Sequence, residues 1–383
     1  MIRLKKEMYL RKIKYLAIVS LAVLFSMTFH VTPFDNMDFV RHSNVMDYIK
    51  ITHISLQKFL ENAAMLNKNE TSSGTYVFNV IEYFFAKHFS NNYTLVWFLT
   101  ALDYSAIAYI AYDYKKTQGY KLCEVFFAVI LCFSFLPFVH VVSGLRTACA
   151  MCLTALGIYL LYFKKSYCIS CLLFIASSLI HSLIIIPCVV AIAVYFFPYK
   201  SIVTMFGVAF LFVNSAIAII SRVNIPFLSL VVIKYKRYTG DRQFVGYKFP
   251  YYGAILLCVI FLFYYFYFYT FKTISKNADS KIDNKLINLN CFQEEKNNMN
   301  KEKMYLFFAT YCVVIIGNFK GHEFVHRLSY MMGCFAPILS SCLFEKRVGG
   351  DKPYVALFTR IMLYGLLFIM ISLNIFHYYR FFV

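Results

Sequence analysis

The chain has 383 residues, 60% of them hydrophobic and 15% charged, with a mean hydropathy of +0.61 and a net charge of +19. Soluble domains carry about 25% charged residues, so an ordinary soluble domain is excluded, and the short alternating strands of a membrane β-barrel do not appear. Apolar runs recur near the ~20 residues that cross a bilayer, so the positive excess reads as cytoplasmic loops, anionic lipid or an anionic substrate rather than nucleic acid.

The expectation is an all-α, polytopic integral membrane protein: one multispan domain of about eleven transmembrane helices. Six Lys/Arg and one Glu between Arg3 and Lys14 precede the first apolar span, Tyr15–Val31. With no small-x-small cleavage pattern at its end, this reads as a retained signal anchor with a cytoplasmic N-terminus. The further candidate spans are Tyr93–Tyr112, Leu122–Val142, Thr147–Phe163, Tyr167–Ile180, Ser182–Pro198, Ser201–Ile220, Tyr251–Phe271, Met304–Phe319, Leu328–Phe344 and Tyr354–Phe376. The stretch Tyr167–Pro198 is too long for one upright helix, about 48 Å at 1.5 Å per residue. A helical hairpin, or a broken helix turning near His181, fits a ~30 Å hydrocarbon core better.

With that hairpin, residues 32–92 form an external loop and 272–303 a polar, solvated cytoplasmic loop. Lys115-Lys116, Lys164-Lys165, Lys200 and Glu345-Lys346-Arg347 then fall inside, as the positive-inside bias expects. Arg146, His181, the 221–250 loop and Lys320–Arg327 fall outside. The 221–250 loop is basic for an external segment: it carries Arg222, Lys234, Lys236, Arg237, Arg242 and Lys248 against Asp241 alone. A task for that charge is holding phosphate or pyrophosphate at the outer leaflet. Tyr235 and Tyr238 among these cations suit sugar binding; the alternative is an interfacial aromatic belt.

The 12 cysteines lie in or beside apolar spans, apart from Cys291 in a polar stretch, which argues against a disulfide framework or a metal site. Asp103 sits near the middle of its span, as a buried polar contact or a site residue. Arg146 opens a span, where a guanidinium either grips a phosphate or snorkels to headgroups. His181, flanked by apolar residues, is either a proton acceptor or a core histidine satisfied by the backbone. Arg327 precedes another span and faces the same choice as Arg146. No nucleotide-binding loop, HExxH or nucleophile elbow appears.

The order Ser143-Gly-Leu-Arg146-Thr-Ala-Cys-Ala, an apolar span, Lys164-Lys165, a second span and Leu179-Ile-His181-Ser182 resembles the core of the EpsG and O-antigen polymerase (Wzy) group. That core usually reads N-x-x-R-Q-x-x-A, a helix, a short lysine run, another helix, then F-H-x-S-A. Arg327-Leu-Ser-Tyr330 is similar to a later E-R-x-x-Y element. Ser143, Thr147 and Ile180 replace the usual asparagine, glutamine and phenylalanine. The resemblance implies polymerisation of oligosaccharide repeat units carried on undecaprenyl diphosphate, at the outer face of a bacterial inner membrane, without a cofactor or an obligatory metal. It implies a flippase and a chain-length regulator as possible partners. Arg146, His181 and Arg327 become the candidate catalytic residues. His181 is the candidate base, with Glu323, Asp35 or Asp38 as substitutes. The competing readings are a flippase of the same lipid-linked sugars, a glycan ligase and a membrane acyltransferase.

Overall fold

A computed structural model of the protein describes residues 38–66, 76–118, 144–211, 252–263, 265–266, 289–318 and 322–339, with isolated positions within 19–28, 132–141 and 361–368. Helix is the only regular structure among them. In chain order the helices are α1 (Asp38–Thr52), α2 (Leu56–Leu66), α3 (Tyr76–His88), α4 (Tyr93–Gln118), α5 (Leu145–Tyr159), α6 (Tyr167–Ile180), α7 (Ile185–Phe196), α8 (Ser201–Leu211), α9 (Tyr252–Phe263), α10 (Leu289–Gly317) and α11 (His322–Cys334). Two helical stretches among the described residues are long and apolar enough to cross a membrane, Tyr93–Tyr114 and Leu145–Lys164. The expected spans at 15–31, 122–142 and 354–376 lie mostly outside the described residues, as does all of 221–250.

Helix α5 is the axis of the bundle. Thirteen of its 15 residues are buried. It packs against α4, α6, α7 and α11, the arrangement expected of a helix that is apolar on every side. Small residues allow the closest approach. A methyl group on Gly157 would lie 2.8 Å from the Phe174 ring of α6. One turn away, Thr154 Oγ1 donates to Ser177 Oγ across the same interface at 2.9 Å. Small and hydroxyl-bearing residues at helix contacts are how bundles pack where lipid removes the hydrophobic drive between helices.

The outward faces are apolar too. On α6 Ile169, Leu172, Ile175 and Leu179 are exposed, and on α7 Ile185, Val189, Ile192 and Phe196. The spacing is that of a helical face, and its inner counterpart on α6 is Ser170, Phe174, Ser177 and Ile180. An apolar stripe facing outward is an aggregation hazard in water and a normal surface in lipid. These faces are consistent with a membrane location.

Residues 167–196 form the hairpin. Helix α6 ends at Ile180, His181 adopts an extended conformation (φ −152°, ψ 118°), and a single 3-10 turn, Ser182–Ile184, leads into α7. The arms fold back on each other: the hydroxyls of Tyr167, at the start of α6, and Tyr195, near the end of α7, meet at 2.8 Å. With 14 and 12 residues, each arm falls short of the ~20 that cross a bilayer upright.

Two stretches expected to be loops contain helices. Residues 32–92 contain α1, α2 and α3. Their apolar positions are few enough to read as a polar connection, yet Phe39, His42, Met46 and Ile49 of α1 share one buried face. The second half of 272–303 is the first half of α10, which runs unbroken from Leu289 into the apolar stretch ending at Gly317. Glu, Gln, Lys and Met in that half favour helix without favouring burial. At 1.5 Å per residue its 29 residues reach about 44 Å, longer than a ~30 Å core.

Gly157→Ala is expected to overpack the contact with Phe174 and cost about 1–3 kcal/mol. Thermal unfolding of the detergent-solubilised protein measures this, and an additional Phe174→Leu substitution recovers part of the loss.

Candidate functional site

The first turn of α5 is a point of electrostatic tension. Its N-terminus, at Gly144, has no side-chain cap, so the positive end of the helix dipole is reinforced by Arg146 rather than offset. The Arg146 side chain is 5% exposed and approaches Asp38 Oδ1 of α1 at 3.4 Å. Its guanidinium also lies over the Phe78 ring of α3, 5.9 Å from the centroid. Arg146 is therefore enclosed by α1 and α3, which places it in the interior rather than snorkelling at a helix end.

Thr147, next in α5, accepts a hydrogen bond from Arg327 Nη1 of α11 at 3.2 Å. The same Nη1 lies 3.3 Å from His181 Nε2 at the tip of the hairpin. Three separate elements, α5, α11 and the α6–α7 turn, thus meet where Arg146, Arg327 and His181 are found. Thr147 is the position where the resemblance leads one to expect glutamine. The hydroxyl serves there as an acceptor for Arg327.

Both ring nitrogens of His181 face hydrogen-bond donors. Its Nδ1 accepts the backbone N–H of Leu183 at 3.2 Å, capping the turn into α7. A neutral imidazole has a single lone pair, so it accepts either from Leu183 at Nδ1 or from Arg327 at Nε2, and not from both at once. Neither nitrogen offers an open lone pair to a substrate in this arrangement, and a protonated ring would put two cations in contact. The geometry favours His181 as the residue that caps the hairpin and packs against Arg327, rather than as a base.

A second cluster adjoins Arg146. Asp38 opens α1, and its carboxylate pairs with Arg41 one turn on. Asp38 Oδ2 lies 3.5 Å from His42 Nε2. His42 Nδ1 lies 3.0 Å from Glu82 Oε1 of α3. His42 and Glu82 are buried, at 1% and 0% exposure, while Asp38 is 19% exposed. Burial lowers the His42 pKa, the Glu82 carboxylate opposes that through charge and hydrogen bond, and the Arg146 and Arg41 cations add to the lowering. Asp38 was foreseeable only as one of several acids. His42 and Glu82 were missed, although Asp38, Arg41 and His42 at i, i+3 and i+4 must share a helix face, and Glu82 stands alone in an aromatic-rich stretch.

The opposite end of α5 has a different character. A π-helical turn, Leu160–Lys164, follows the helix, and Lys165 closes it in a left-handed conformation (φ 54°). Lys164 Nζ pairs with Asp113 Oδ2 of α4 at 2.7 Å, and Tyr159 donates to the same oxygen at 2.6 Å. Lys303 of α10 sits over the Tyr195 ring at 4.6 Å. Residues 146 and 164 are separated by about 27 Å along the axis at 1.5 Å per residue. One end gathers two arginines and a histidine; the other is punctuated by lysines.

The remaining expected site residues are not placed here. Arg222, Lys234, Tyr235, Lys236, Arg237, Tyr238 and Arg242 lie outside the described residues, as do Asp35 and the side chain of Glu323. Asp103 is buried in α4 at 0% exposure, on the interface with α5, where it neighbours Cys149. No group of three or more His, Cys, Asp or Glu side chains able to hold a metal ion occurs among the described residues.

His42 is buried with a pKa below the ordinary imidazole value of 6.5. Between that value and its lowered folded pKa, the unfolded chain binds the extra proton, so stability falls as pH drops below 6.5. The melting temperature is expected to decline on acidification through this range, and the decline should shrink in His42→Asn.

Compared with known families, the chain matches the EpsG family model over residues 14–382. No curated protein and no solved structure matches the chain.

Proposed function

The chain belongs to the EpsG family, whose members are membrane proteins of exopolysaccharide biosynthesis, and on that premise we propose that it is a glycosyltransferase. It polymerises oligosaccharide repeat units carried on a polyprenyl (undecaprenyl) diphosphate into O-antigen or a related surface polysaccharide, at the outer face of a bacterial inner membrane. In this reading the full chain crosses the membrane about eleven times. The N-terminus and the lysine-punctuated end of α5 face the cytoplasm, and the Arg146 end faces outward. The observation that carries the proposal is Arg327 donating to Thr147 and lying against His181 at the head of α5, the helix whose first turn holds Arg146.

The chemistry asks for such a place. A hydroxyl of one repeat unit attacks the anomeric carbon of a second glycan. The bond from that carbon to the lipid diphosphate breaks, and the electron pair leaves with the diphosphate. Charge therefore grows on phosphate oxygens. Two planar guanidinium groups and a helix N-terminus are matched to that charge, and their effect is greatest where water is scarce. Arg222, Lys234, Lys236, Arg237 and Arg242 would hold the diphosphate and its sugars from the 221–250 segment, with Tyr235 and Tyr238 against sugar faces. Apolar outward faces let a lipid-borne substrate reach the site from the bilayer. A flippase that delivers repeat units and a regulator of chain length are the expected partners.

A deletion strain is expected to accumulate single repeat units on the carrier at the outer face, and lipid-linked sugar analysis checks this. Arg146→Ala should lower polymer output at least about a hundredfold, the scale of losing one transition-state charge partner, while the protein still inserts. Full-length glycan ladders from an Arg146→Ala, His181→Ala double variant would refute the assignment. Repeat units trapped on the cytoplasmic side would mark a flippase instead, and polymer retained on the carrier would mark a ligase.

A further inference from the structure

The attacking hydroxyl must lose a proton, and His181 is badly placed to take it. We propose that Asp38 is the proton-accepting carboxylate of this site, with His42 and Glu82 forming a buried relay behind it. The inference rests on the polymerase reading and deepens it by naming the base.

The argument starts from hydrogen-bond bookkeeping. Glu82 is fully buried, and Oε1 faces His42 Nδ1 at 3.0 Å. A carboxylate only accepts, so the proton of a neutral His42 sits on Nδ1. That leaves His42 Nε2 with a lone pair, and this buried atom has no hydrogen-bond partner among the described residues. Facing it at 3.5 Å is Asp38 Oδ2, another acceptor. Two acceptors pointing at each other inside a protein are unfavourable, and a single added proton between them converts the contact into a charge-assisted hydrogen bond. The arrangement is one proton short, which is the resting condition of a base.

The surroundings fit that role. Asp38 retains 19% exposure while His42 and Glu82 behind it are closed off, so a substrate hydroxyl meets Asp38 first. Arg146 holds the other carboxylate oxygen, Oδ1, at 3.4 Å, and Arg41 grips that same oxygen. Oδ2 is left toward the relay. Phe78 fills the space between the two halves, packing 4.8 Å from the His42 ring and under the Arg146 guanidinium. Burial keeps the resting imidazole neutral, which preserves the lone pair at Nε2.

The step balances. The hydroxyl O–H bond breaks and its proton passes to Asp38 Oδ2, while the oxygen forms its bond to the anomeric carbon. The carbon–diphosphate bond breaks and its electron pair leaves with the phosphate, next to Arg146. The proton is shared with His42 Nε2, where Glu82 stabilises the resulting imidazolium. It then returns through the exposed edge of Asp38 to water. Asp38 is the catalytic residue; His42 and Glu82 act through it.

The test uses full-length protein reconstituted in liposomes with lipid-linked repeat units extracted from the deletion strain. Turnover and retention of the lipid-linked substrate are measured separately across pH. Asp38→Asn is expected to lower turnover about a hundredfold or more, the scale of general-base catalysis, with substrate retention within a few fold. Among the described residues, the groups facing His42 are Asp38 and Arg41 on its own helix, Glu82 on α3 and Arg146 on α5. Wild-type turnover should fall on the acid side as His42 protonates. Glu82→Gln removes the charge that favours the imidazolium, so this acid limb should move to lower pH with reduced turnover. His42→Asn should lose the limb. Wild-type turnover in Asp38→Asn, or an acid limb identical to wild type in both His42→Asn and Glu82→Gln, overturns the inference while leaving the polymerase reading intact. Absence of polymer from the wild-type protein sinks that reading and this inference together. Should Asp38→Asn fail to insert, the two pH profiles decide.

Discussion

A guanidinium at the N-terminus of a largely buried helix is the constraint around which the rest of this structure is arranged. Arg146 adds positive charge where the α5 dipole is already positive, and burial withholds the water that would screen it. The chain answers with α1 and α3, which bring Asp38 and the Phe78 ring against Arg146. The polar-looking segment ahead of α4 is thus a structural complement to the central helix. Its fold follows from the need to neutralise one cation, as much as from its own modest apolar faces.

The same constraint accounts for the hairpin. A helix continuous through His181 would carry the chain past the head of α5. Breaking there turns the imidazole inward, lets Nδ1 cap the next turn, and sets Nε2 beside Arg327. Position 147 then gains meaning as the hydroxyl that shares Arg327 with the histidine. Basic groups from α5, α11 and the hairpin tip converge at one end, with the α1–α3 acids flanking them. The other end is tied by ordinary lysine, aspartate and tyrosine contacts.

The sequence disclosed the parts of this arrangement that depend on hydropathy. Tyr167–Ile180 is helical over the range its apolar run indicates, and the length of 167–198 alone implied a turn near His181. Hydropathy is blind to helices that are polar, which is why α1 to α3 and the first half of α10 read as loops. It is equally blind to contacts between distant segments. Arg327 and His181 are 146 residues apart in the chain, and only a family resemblance singled them out together. Asp38 to Glu82 illustrates the opposite case. The i, i+4 relation of Asp38 and His42 was readable, but Glu82 belongs to another helix, and nothing in spacing connects the two.

The account depends most on one convergence: the head of α5, the hairpin tip and the start of α11 opening to a single aqueous compartment, opposite the lysine end. Single cysteines placed at positions 38, 147, 181 and 327, and at 164 and 303, in a background without native cysteines, can be tested with a membrane-impermeant thiol reagent in intact cells. The first four are expected to share protection or labelling from the outer face, and the last two to label only after the membrane is opened. Labelling of positions 147 or 327 from the same side as 164 would contradict the account.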